Sequence, residues 1–425
     1  MKDSEQSCSI FLVGIGMGNA DTLTARAREK IAGAKLVIGA RRMIESVNSI
    51  AQAEKAETYD TEKIVSLISD FCSRHDEKSA EKKSCCVLFS GDTGFFSGAS
   101  ALSQRLSEKK IDFELIPGIS TCQYFSSRIK KPHQHWNIVS LHAESSLFLP
   151  EIMGARETFF LLGGKTTENE IIKSLMENSF TGSITVAFNM GHEDESIFHL
   201  ELSSGTICET DIPPGFLDVP HSRLCAMLVE NSDFLPRTAV SIPDGDFERT
   251  DGVPMTKRIT RSAILSILSP KDGETVWDVG AGTGAVSIDI ARNSKCALFS
   301  VEEKKSAVKT LKANKKKFNA LNMKIVEGKA PAALESLPAP DAVFVGGSGG
   351  ELFSIVGSAL KKNGKARILV AAVTLETLSA CQEISRKDGL EIYATQISSA
   401  ATRTLGRYHG MSAENPVWLV SLGRA

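Results

Sequence analysis

Two glycine-rich stretches give this sequence its most specific chemical signal. The first, FLVGIGMGNADTLT, runs from Phe11 to Thr24, and the second, VWDVGAGTGAVSIDIA, runs from Val276 to Ala291. In each, glycines follow an apolar run typical of a strand and precede an amphipathic run typical of a helix. Glycines at this junction allow a tight turn and a close approach to a ligand, which the N–H groups of the following helix then face. The pattern predicts two sites for a ligand with a nucleotide-like part.

The second stretch carries acidic residues at informative positions. Asp278 precedes Gly280, Gly282 and Gly284, which are spaced two apart, and Glu302 ends the next predicted strand. About 20 residues beyond a glycine loop, a carboxylate is placed to accept hydrogen bonds from both hydroxyls of a ribose. A nicotinamide site usually reads G-x-G-x-x-G, so NAD is the competing ligand at this loop.

These residues resemble class I S-adenosylmethionine-dependent methyltransferases, a family with a doubly wound, Rossmann-like α/β fold. From Pro243 to Gly423 the sequence is similar to their decarboxylating C15 branch in corrinoid synthesis, through GVPMTKRITRSAIL, DVGAGTG, EGKAPAALESL, FVGGSGGEL and ENPVWLV. The resemblance implies cofactor contacts at Thr256, Gly280, Ala281, Gly282, Thr283, Gly284, Glu302 and Ala330. Lys329 stands where this family often has Asp, so backbone groups are expected to contact the adenine.

The first stretch begins a different series of motifs. Asp21 or Thr22 is the expected cap of its helix, and Gly91-Asp92-Thr93 and Pro117-Gly118 each follow a predicted strand. With ARRMIESV, SGDTGFF, IPGIS and VSLHAES, the region from Ser9 to Val240 resembles the C5 branch of the tetrapyrrole methylases, whose two α/β lobes clamp a folded S-adenosylmethionine. The resemblance implies cofactor contacts at Gly91, Asp92, Ser120, Thr121, Leu162 and Ala187. It departs from the family at Thr93, where proline is usual, and at SLHAES, where SLHGR is more frequent.

The elements that must position these motifs alternate between strand and helix in both halves. This alternation predicts an α/β protein with largely parallel strand pairing. Ser241 to Lys257 has no apolar period and is predicted to be a linker or a domain's leading arm. We therefore expect two domains, a two-lobed tetrapyrrole methylase fold in residues 1–240 and a Rossmann-like methyltransferase domain in residues 241–425.

Together the two resemblances imply one S-adenosylmethionine per domain and a tetrapyrrole (precorrin) substrate. The implied reactions are methyl transfers to C5 and C15 and loss of CO₂ from the C12 acetate, and no general acid or base is identified. Because such a substrate carries many carboxylates, cationic side chains should line its cleft. The candidates are Arg41, Arg42, Lys257, Arg258, Arg261, Arg403, Arg407 and His409. The alternative is that only the second domain is catalytic and the first is a docking or regulatory module.

Composition excludes several other classes of protein. A net charge of −2 argues against nucleic-acid binding, and no apolar run approaches the roughly 18 residues needed to span a membrane. The first residues lack the layout of a signal peptide, which favours a cytoplasmic protein. The nine cysteines include no C-x-x-C pair, so we expect no metal site. Relatives of both domains self-associate, so the resemblance also implies a homo-oligomer.

Overall fold

The computed structural model describes residues 8–73, 83–141, 147–206, 225–236 and 240–423. Its strands form three large sheets and one two-stranded hairpin within those residues. The α/β architecture expected from the sequence is confirmed. Among the described helices, none combines the length and the apolar character that a membrane crossing requires.

The first sheet carries the first glycine loop. Its strands are β1 (Cys8–Gly14), β2 (Leu36–Gly39), β3 (Glu54–Glu57), β4 (Lys83–Phe89) and β5 (Glu114–Ile116). Its helices are α1 (Ala25–Ala32), α2 (Arg41–Ser46), α3 (Thr61–Ser73), α4 (Ala99–Glu108) and α5 (Thr121–Arg128). The order β3-β2-β4-β1-β5 is parallel throughout, with a buried cluster of apolar side chains on each face. The loops that follow β1 and β4 therefore meet at one edge of the sheet.

The expected cap of α1 is wrong, because Thr24 caps this helix by accepting a hydrogen bond from the N–H of Ala27. Thr22 instead lies buried, and its hydroxyl accepts a hydrogen bond from the N–H of Met17 at 3.0 Å. Thr22 therefore stabilises the glycine loop itself, which is a tertiary role that its position before a helix does not reveal.

The second sheet corrects the prediction of largely parallel pairing. Its strands are β6 (Asn137–Ser140), β7 (Glu157–Leu162), β8 (Gly182–Phe188), β9 (Ser196–Leu202) and β10 (Cys225–Asn231), with helices α6 (Phe148–Met153) and α7 (Glu168–Glu177). Only β6 and β7 pair in parallel in the order β6-β7-β10-β8-β9. Strands β8 and β9 follow each other without an intervening helix, and such a connection brings neighbouring strands together antiparallel.

The third sheet holds the second glycine loop. Its strands are β11 (Thr275–Val279), β12 (Ala297–Glu302), β13 (Met323–Glu327), β14 (Ala342–Val345), β15 (Arg367–Ala372), β16 (Glu391–Ile397) and β19 (Val417–Gly423). Its helices are α8 (Arg258–Leu268), α9 (Ala285–Asn293), α10 (Lys305–Lys317), α11 (Leu352–Lys362) and α12 (Leu375–Asp388). In the order β13-β12-β11-β14-β15-β19-β16, the first five strands are parallel and β19 is antiparallel to both neighbours. A separate exposed hairpin pairs β17 (Ala400–Leu405) with β18 (Tyr408–Ala413).

Among the contacts between the two halves are those of the α10–β13 turn and of the residue Lys295 just before β12. Leu321 lies in the apolar cluster of the second sheet, and the ammonium of Lys295 lies 2.8 Å from a carboxylate oxygen of Glu151. A cavity of about 1080 Å³ lies between the halves, next to these contacts. The boundary predicted at residues 240 and 241 stays a prediction.

Candidate functional sites

A cavity of about 270 Å³ lies at the carboxyl ends of β11, β12 and β14. Strand β11 stands between β12 and β14, so the chain reverses its direction of winding here. In open α/β sheets such a reversal opens a crevice between neighbouring loops, where ligands bind. The lining includes seven of the eight predicted residues of this half: Thr256, Gly280, Ala281, Gly282, Thr283, Glu302 and Ala330.

The glycines of this loop are required by close backbone contacts. The N–H groups of Gly280 and Ala281 both donate to the carbonyl oxygen of Val301, at 3.0 and 3.1 Å. A Cβ on Gly280 would lie 2.5 Å from the carbonyl oxygen of Gly347, in the loop after β14. Gly284 lies outside the lining, at the N-cap of α9, where a Cβ would collide with the side chain of Leu311 from α10. Gly284 therefore shapes the loop without reaching the cavity.

Glu302 fixes the loop from the adjacent strand. Its side chain is almost fully buried, and its two carboxylate oxygens accept hydrogen bonds from the N–H groups of Gly282 at 2.8 Å and Lys304 at 2.9 Å. A carboxylate offers about four acceptor positions, so two remain for a ligand's hydroxyl groups.

Asp278 places an unsatisfied acceptor at the wall of the same cavity. Its Oδ2 accepts a hydrogen bond from the Ser287 hydroxyl, whereas its buried Oδ1 has no partner among the described residues. Burial, with the Glu302 carboxylate nearby, raises the pKa of Asp278 to about 7. Buried acceptors are normally paired, so this oxygen suits a ligand that brings a donor or a positive charge. S-adenosylmethionine carries both, and the residues of this cavity fit it.

Contrary to the expectation from the sequence, the structure does not place Arg261 in a substrate cleft. Its side chain is fully buried, with Nε 2.6 Å from a carboxylate oxygen of Asp289 and Nη1 2.6 Å from one of Asp244. Nη1 also donates to the carbonyl oxygen of Thr256 at 2.6 Å, and the guanidinium lies over the Phe247 ring. Arg261 therefore holds the leading arm against α8 and α9, and through the arm it positions Thr256 at the cavity.

The other cations predicted in this half lie outside the cavity lining. Lys257 precedes α8 and Arg258 begins it, and neither forms an ion pair within the part of the chain described. Arg403, Arg407 and His409 are exposed on the β17–β18 hairpin. Their role in substrate binding stays a prediction.

A second cavity, of about 210 Å³, lies between the first and second sheets. Four of the six predicted cofactor contacts of this half line it: Gly91, Asp92, Thr121 and Leu162. Backbone contacts bring three loops together beside it, because the N–H of Gly91 donates to Gly16 at 2.8 Å and a Cβ on Gly14 would lie 2.7 Å from the nitrogen of Gly118. The first glycine stretch therefore packs against the two later glycine motifs.

Asp92 ties those later motifs together. Its Oδ1 accepts a hydrogen bond from the N–H of Gly118 at 2.9 Å, and its Oδ2 accepts one from the N–H of Gly94 at 2.8 Å. Ser120 and Ala187 lie outside the lining, since Ser120 caps α5 in a capping box with Gln123 and Ala187 is fully buried in β8. Asp92 thus orders the cavity wall, and the cofactor contacts predicted for Ser120 and Ala187 stay predictions.

The two adjacent arginines of α2 differ in their surroundings. Arg42 lines the second cavity, with its guanidinium 3.5 Å from Nε2 of His192. Arg41 is exposed and pairs with Glu45 at 2.9 Å. Of the two, only Arg42 is positioned to meet a ligand in this cavity.

Sequence reasoning missed several lining residues. In the first half they are Met17, Ser90, Phe95, Phe96, Leu161, Met190 and Cys225, and in the second they include Val253, Pro254, Glu303, Lys304 and the run from Gly346 to Gly349. The glycine run FVGGSGG after β14 was the available signal for the second group. In the first group, Ser90, Phe95 and Phe96 belong to the recognised motif SGDTGFF, and Met17 lies within the first glycine stretch.

Comparisons with known families match both halves. Residues 246–423 match the family described as a precorrin methyltransferase domain, and residues 9–204 match the tetrapyrrole (corrin/porphyrin) methylases.

Individual relatives match one or both halves. A probable cobalt-precorrin-6B C(15)-methyltransferase (decarboxylating) from Pyrobaculum calidifontis is 40% identical over 189 residues, 44% of this chain and 97% of the relative. A precorrin-6Y C(5,15)-methyltransferase (decarboxylating) from Sinorhizobium sp is 28% identical over 377 residues, 86% of this chain and 85% of the relative. A crystal structure of precorrin-6y C5,15-methyltransferase from Geobacter metallireducens, 32% identical, covers 45% of this chain and 100% of its own, with a TM-score of 0.42.

Proposed function

Because this chain belongs to the precorrin methyltransferase family, whose members use S-adenosylmethionine as methyl donor, we propose that it methylates a precorrin-6Y-type tetrapyrrole at both C5 and C15. The enzyme is a decarboxylating methyltransferase of cobalamin biosynthesis. We assign C15 methylation and loss of CO₂ from the C12 acetate to residues 241–425, and C5 methylation to residues 1–240. We further propose a cytoplasmic homo-oligomer.

One observation carries the proposal of two reactions in one chain. Each half has its own cavity, and each cavity is walled by its own glycine loop and by a carboxylate that accepts backbone N–H groups of the loops beside it. Two such cavities on different sheets support one S-adenosylmethionine per domain.

In the second half, the residues supply alignment and a low-dielectric environment. When bound, S-adenosylmethionine supplies a methyl group activated by its sulfonium. Glu302 has acceptor positions for the ribose hydroxyls, and Asp278 has a free oxygen for the ammonium group. Phe344 and Val286 line the same cavity with apolar surface that excludes water. Orientation and exclusion of water are the main requirements for displacement by a carbon nucleophile.

In the first half, Asp92 has a positioning role. Both of its oxygens already accept backbone N–H groups, so it orders two loops of the cavity wall. Thr121 and Leu162 line that wall, and the guanidinium of Arg42 is available to a substrate carboxylate.

Calorimetric titration with S-adenosylhomocysteine tests the proposal, and two sites per chain are expected. Gly282→Asp should remove one, because its carboxylate would enter a cavity that already holds Glu302 and Asp278. The matched control is Gly273→Asp, since Gly273 also has a positive φ, of 83°, but has no neighbour near its Cβ position.

Asp92→Ala should remove the other site, with the exposed Asp112→Ala as its control. Mass spectrometry of the reaction product should then find two added methyl groups and the loss of CO₂ with the unmodified enzyme. A single site, abolished by Gly282→Asp alone, would instead make the first half a docking or regulatory module.

A further inference from the structure

Phe96 has a backbone conformation that bulky residues rarely adopt. Its φ is +46°, in the left-handed region. Seven other non-glycine residues in the described ranges have a positive φ, and each is a Lys, Ser or Asn. Five of them lie at the ends of helices, where one left-handed residue commonly terminates the helix: Lys110, Lys130, Ser179, Ser269 and Asn319. Phe96 ends no helix, and strained residues of this kind cluster at binding sites.

The conformation of Phe96 presents its ring to solvent at the first half's cavity. The side chain is 57% exposed although it is large and apolar. Phe95 beside it packs against a second buried apolar cluster, which joins α5 to the second sheet, and the two rings meet edge to face with centroids 5.1 Å apart. One phenylalanine therefore anchors the loop, and the other is held outward in a fixed position.

The same cavity offers a cation without a carboxylate partner. Arg42 lines the cavity and forms no ion pair within the described residues. Its guanidinium lies 3.5 Å from Nε2 of His192. An exposed aromatic face together with a free guanidinium is complementary to a conjugated ring system that carries carboxylates.

We propose that Phe96 is a substrate-positioning residue, on which the conjugated face of the tetrapyrrole stacks while Arg42 holds one of its carboxylates. This inference rests on the proposed function and identifies where the substrate lies in the first half. The adenine of the cofactor is the other conjugated ring that the proposed function would bring to this cavity. The exposure of Phe96 at the rim favours the larger ligand, which extends into solvent.

The test uses the full-length enzyme with Phe96→Gly and Phe96→Tyr. Glycine removes the ring and accepts the positive φ without strain, so the variant is expected to fold. Phe96→Gly should raise the KM for the precorrin in C5 methylation by about fivefold to tenfold, as the loss of one aromatic contact implies. Phe96→Tyr keeps the ring and should restore the KM to within about twofold.

Two internal controls separate this effect from damage to the enzyme. Release of CO₂ reports on the second half and should keep the same precorrin KM in all variants. Tyr59→Gly removes another aromatic side chain, 89% exposed, that lies outside the cavity lining, and it should change neither reaction.

A raised KM for S-adenosylmethionine with an unchanged KM for the precorrin would overturn the proposal and assign Phe96 to the adenine. Unchanged values for both substrates would overturn it as well. If the unmodified enzyme methylated no precorrin at C5, the proposed function itself would fail, and that result is distinct from a defect seen only in the Phe96 variants.

Discussion

Replacing Arg261 tests whether the leading arm is held by a buried ion pair. Arg261 and Asp289 are both fully shielded from solvent, whereas Asp244 is 28% exposed. In Arg261→Met the carboxylate of Asp289 would lose its charged partner, while Asp244 would stay partly hydrated. Breaking a buried pair by removing one partner costs about 3–5 kcal/mol, because the remaining charge is left uncompensated. We expect a loss of unfolding free energy of that size in the second half.

The measurement requires a signal confined to that half. The chain has three tryptophans, of which Trp277 and Trp418 lie in the third sheet and Trp136 lies beside the second. In a Trp136→Phe background, tryptophan fluorescence during urea denaturation therefore reports only on the second half. Calorimetry with S-adenosylhomocysteine should also detect weaker binding at the second cavity, since Arg261 positions Thr256 there.

A double variant separates the buried charge from the loss of packing. Asn at position 289 is uncharged and can still accept the hydrogen bond that Asp289 now accepts from the N–H of Ile242 at 3.1 Å. Arg261→Met combined with Asp289→Asn should therefore be more stable than Arg261→Met alone. If Arg261→Met cost less than about 1 kcal/mol, a value typical of exposed pairs, the ion pair would not be what holds the arm.

Three further outcomes follow from the contacts at the cavities and between the halves. The pKa of Asp278 is raised to about 7 in the fold, so its contribution to stability is full below about pH 4 and is lost as the pH rises through 7. In urea denaturation at pH 8, Asp278→Asn should therefore have a larger free energy of unfolding than the unmodified protein, by on the order of 4 kcal/mol, and the difference should vanish near pH 4. Gly118→Ala should abolish S-adenosylhomocysteine binding at the first cavity only, because its Cβ would collide with the carbonyl oxygen of Gly91, whereas Gly33→Ala has room and should bind normally. Leu321→Asp would put a charge into the apolar cluster of the second sheet, and protease digestion should then cleave between the halves faster.

Strands with buried apolar runs could be predicted from the sequence, whereas β3 and the β17–β18 hairpin could not. Strands β11 and β14 are buried along almost their whole length, and each coincides with an apolar run of the sequence. Strand β3 has the sequence EKAE, and the β17–β18 hairpin is exposed along nearly its whole length. Neither buries a face, so neither imposes the apolar alternation on which prediction from sequence depends. The parallel or antiparallel direction of the strands in the second sheet could not be predicted either, because it depends on how the strands are connected, and no residue pattern shows this.

The candidate sites could be predicted where backbone geometry restricts residue type. At Gly280 and Gly118 a side chain would collide with a neighbouring loop, so only glycine fits. Glycines at such positions can therefore be recognised in the sequence as part of a site. Backbone geometry does not restrict where an arginine or lysine can stand in the same way, so its role cannot be predicted from its position in the sequence. Arg261 and Arg42 are the same residue type beside equally suggestive motifs, yet one is buried between carboxylates and the other faces a cavity.

What separates the two arginines is the placement of carboxylates from distant parts of the chain. Asp289 and Asp244 reach Arg261 from α9 and from the leading arm, whereas no carboxylate in the described part of the chain reaches Arg42. A guanidinium buried between two carboxylates is out of reach of a substrate, whereas an unpaired one at a cavity rim can donate to a substrate. Substrate carboxylates should therefore be sought at cations that the fold leaves unpaired. By that criterion Arg42, and not the buried Arg261, is the arginine whose replacement should weaken tetrapyrrole binding while leaving the stability of the fold unchanged.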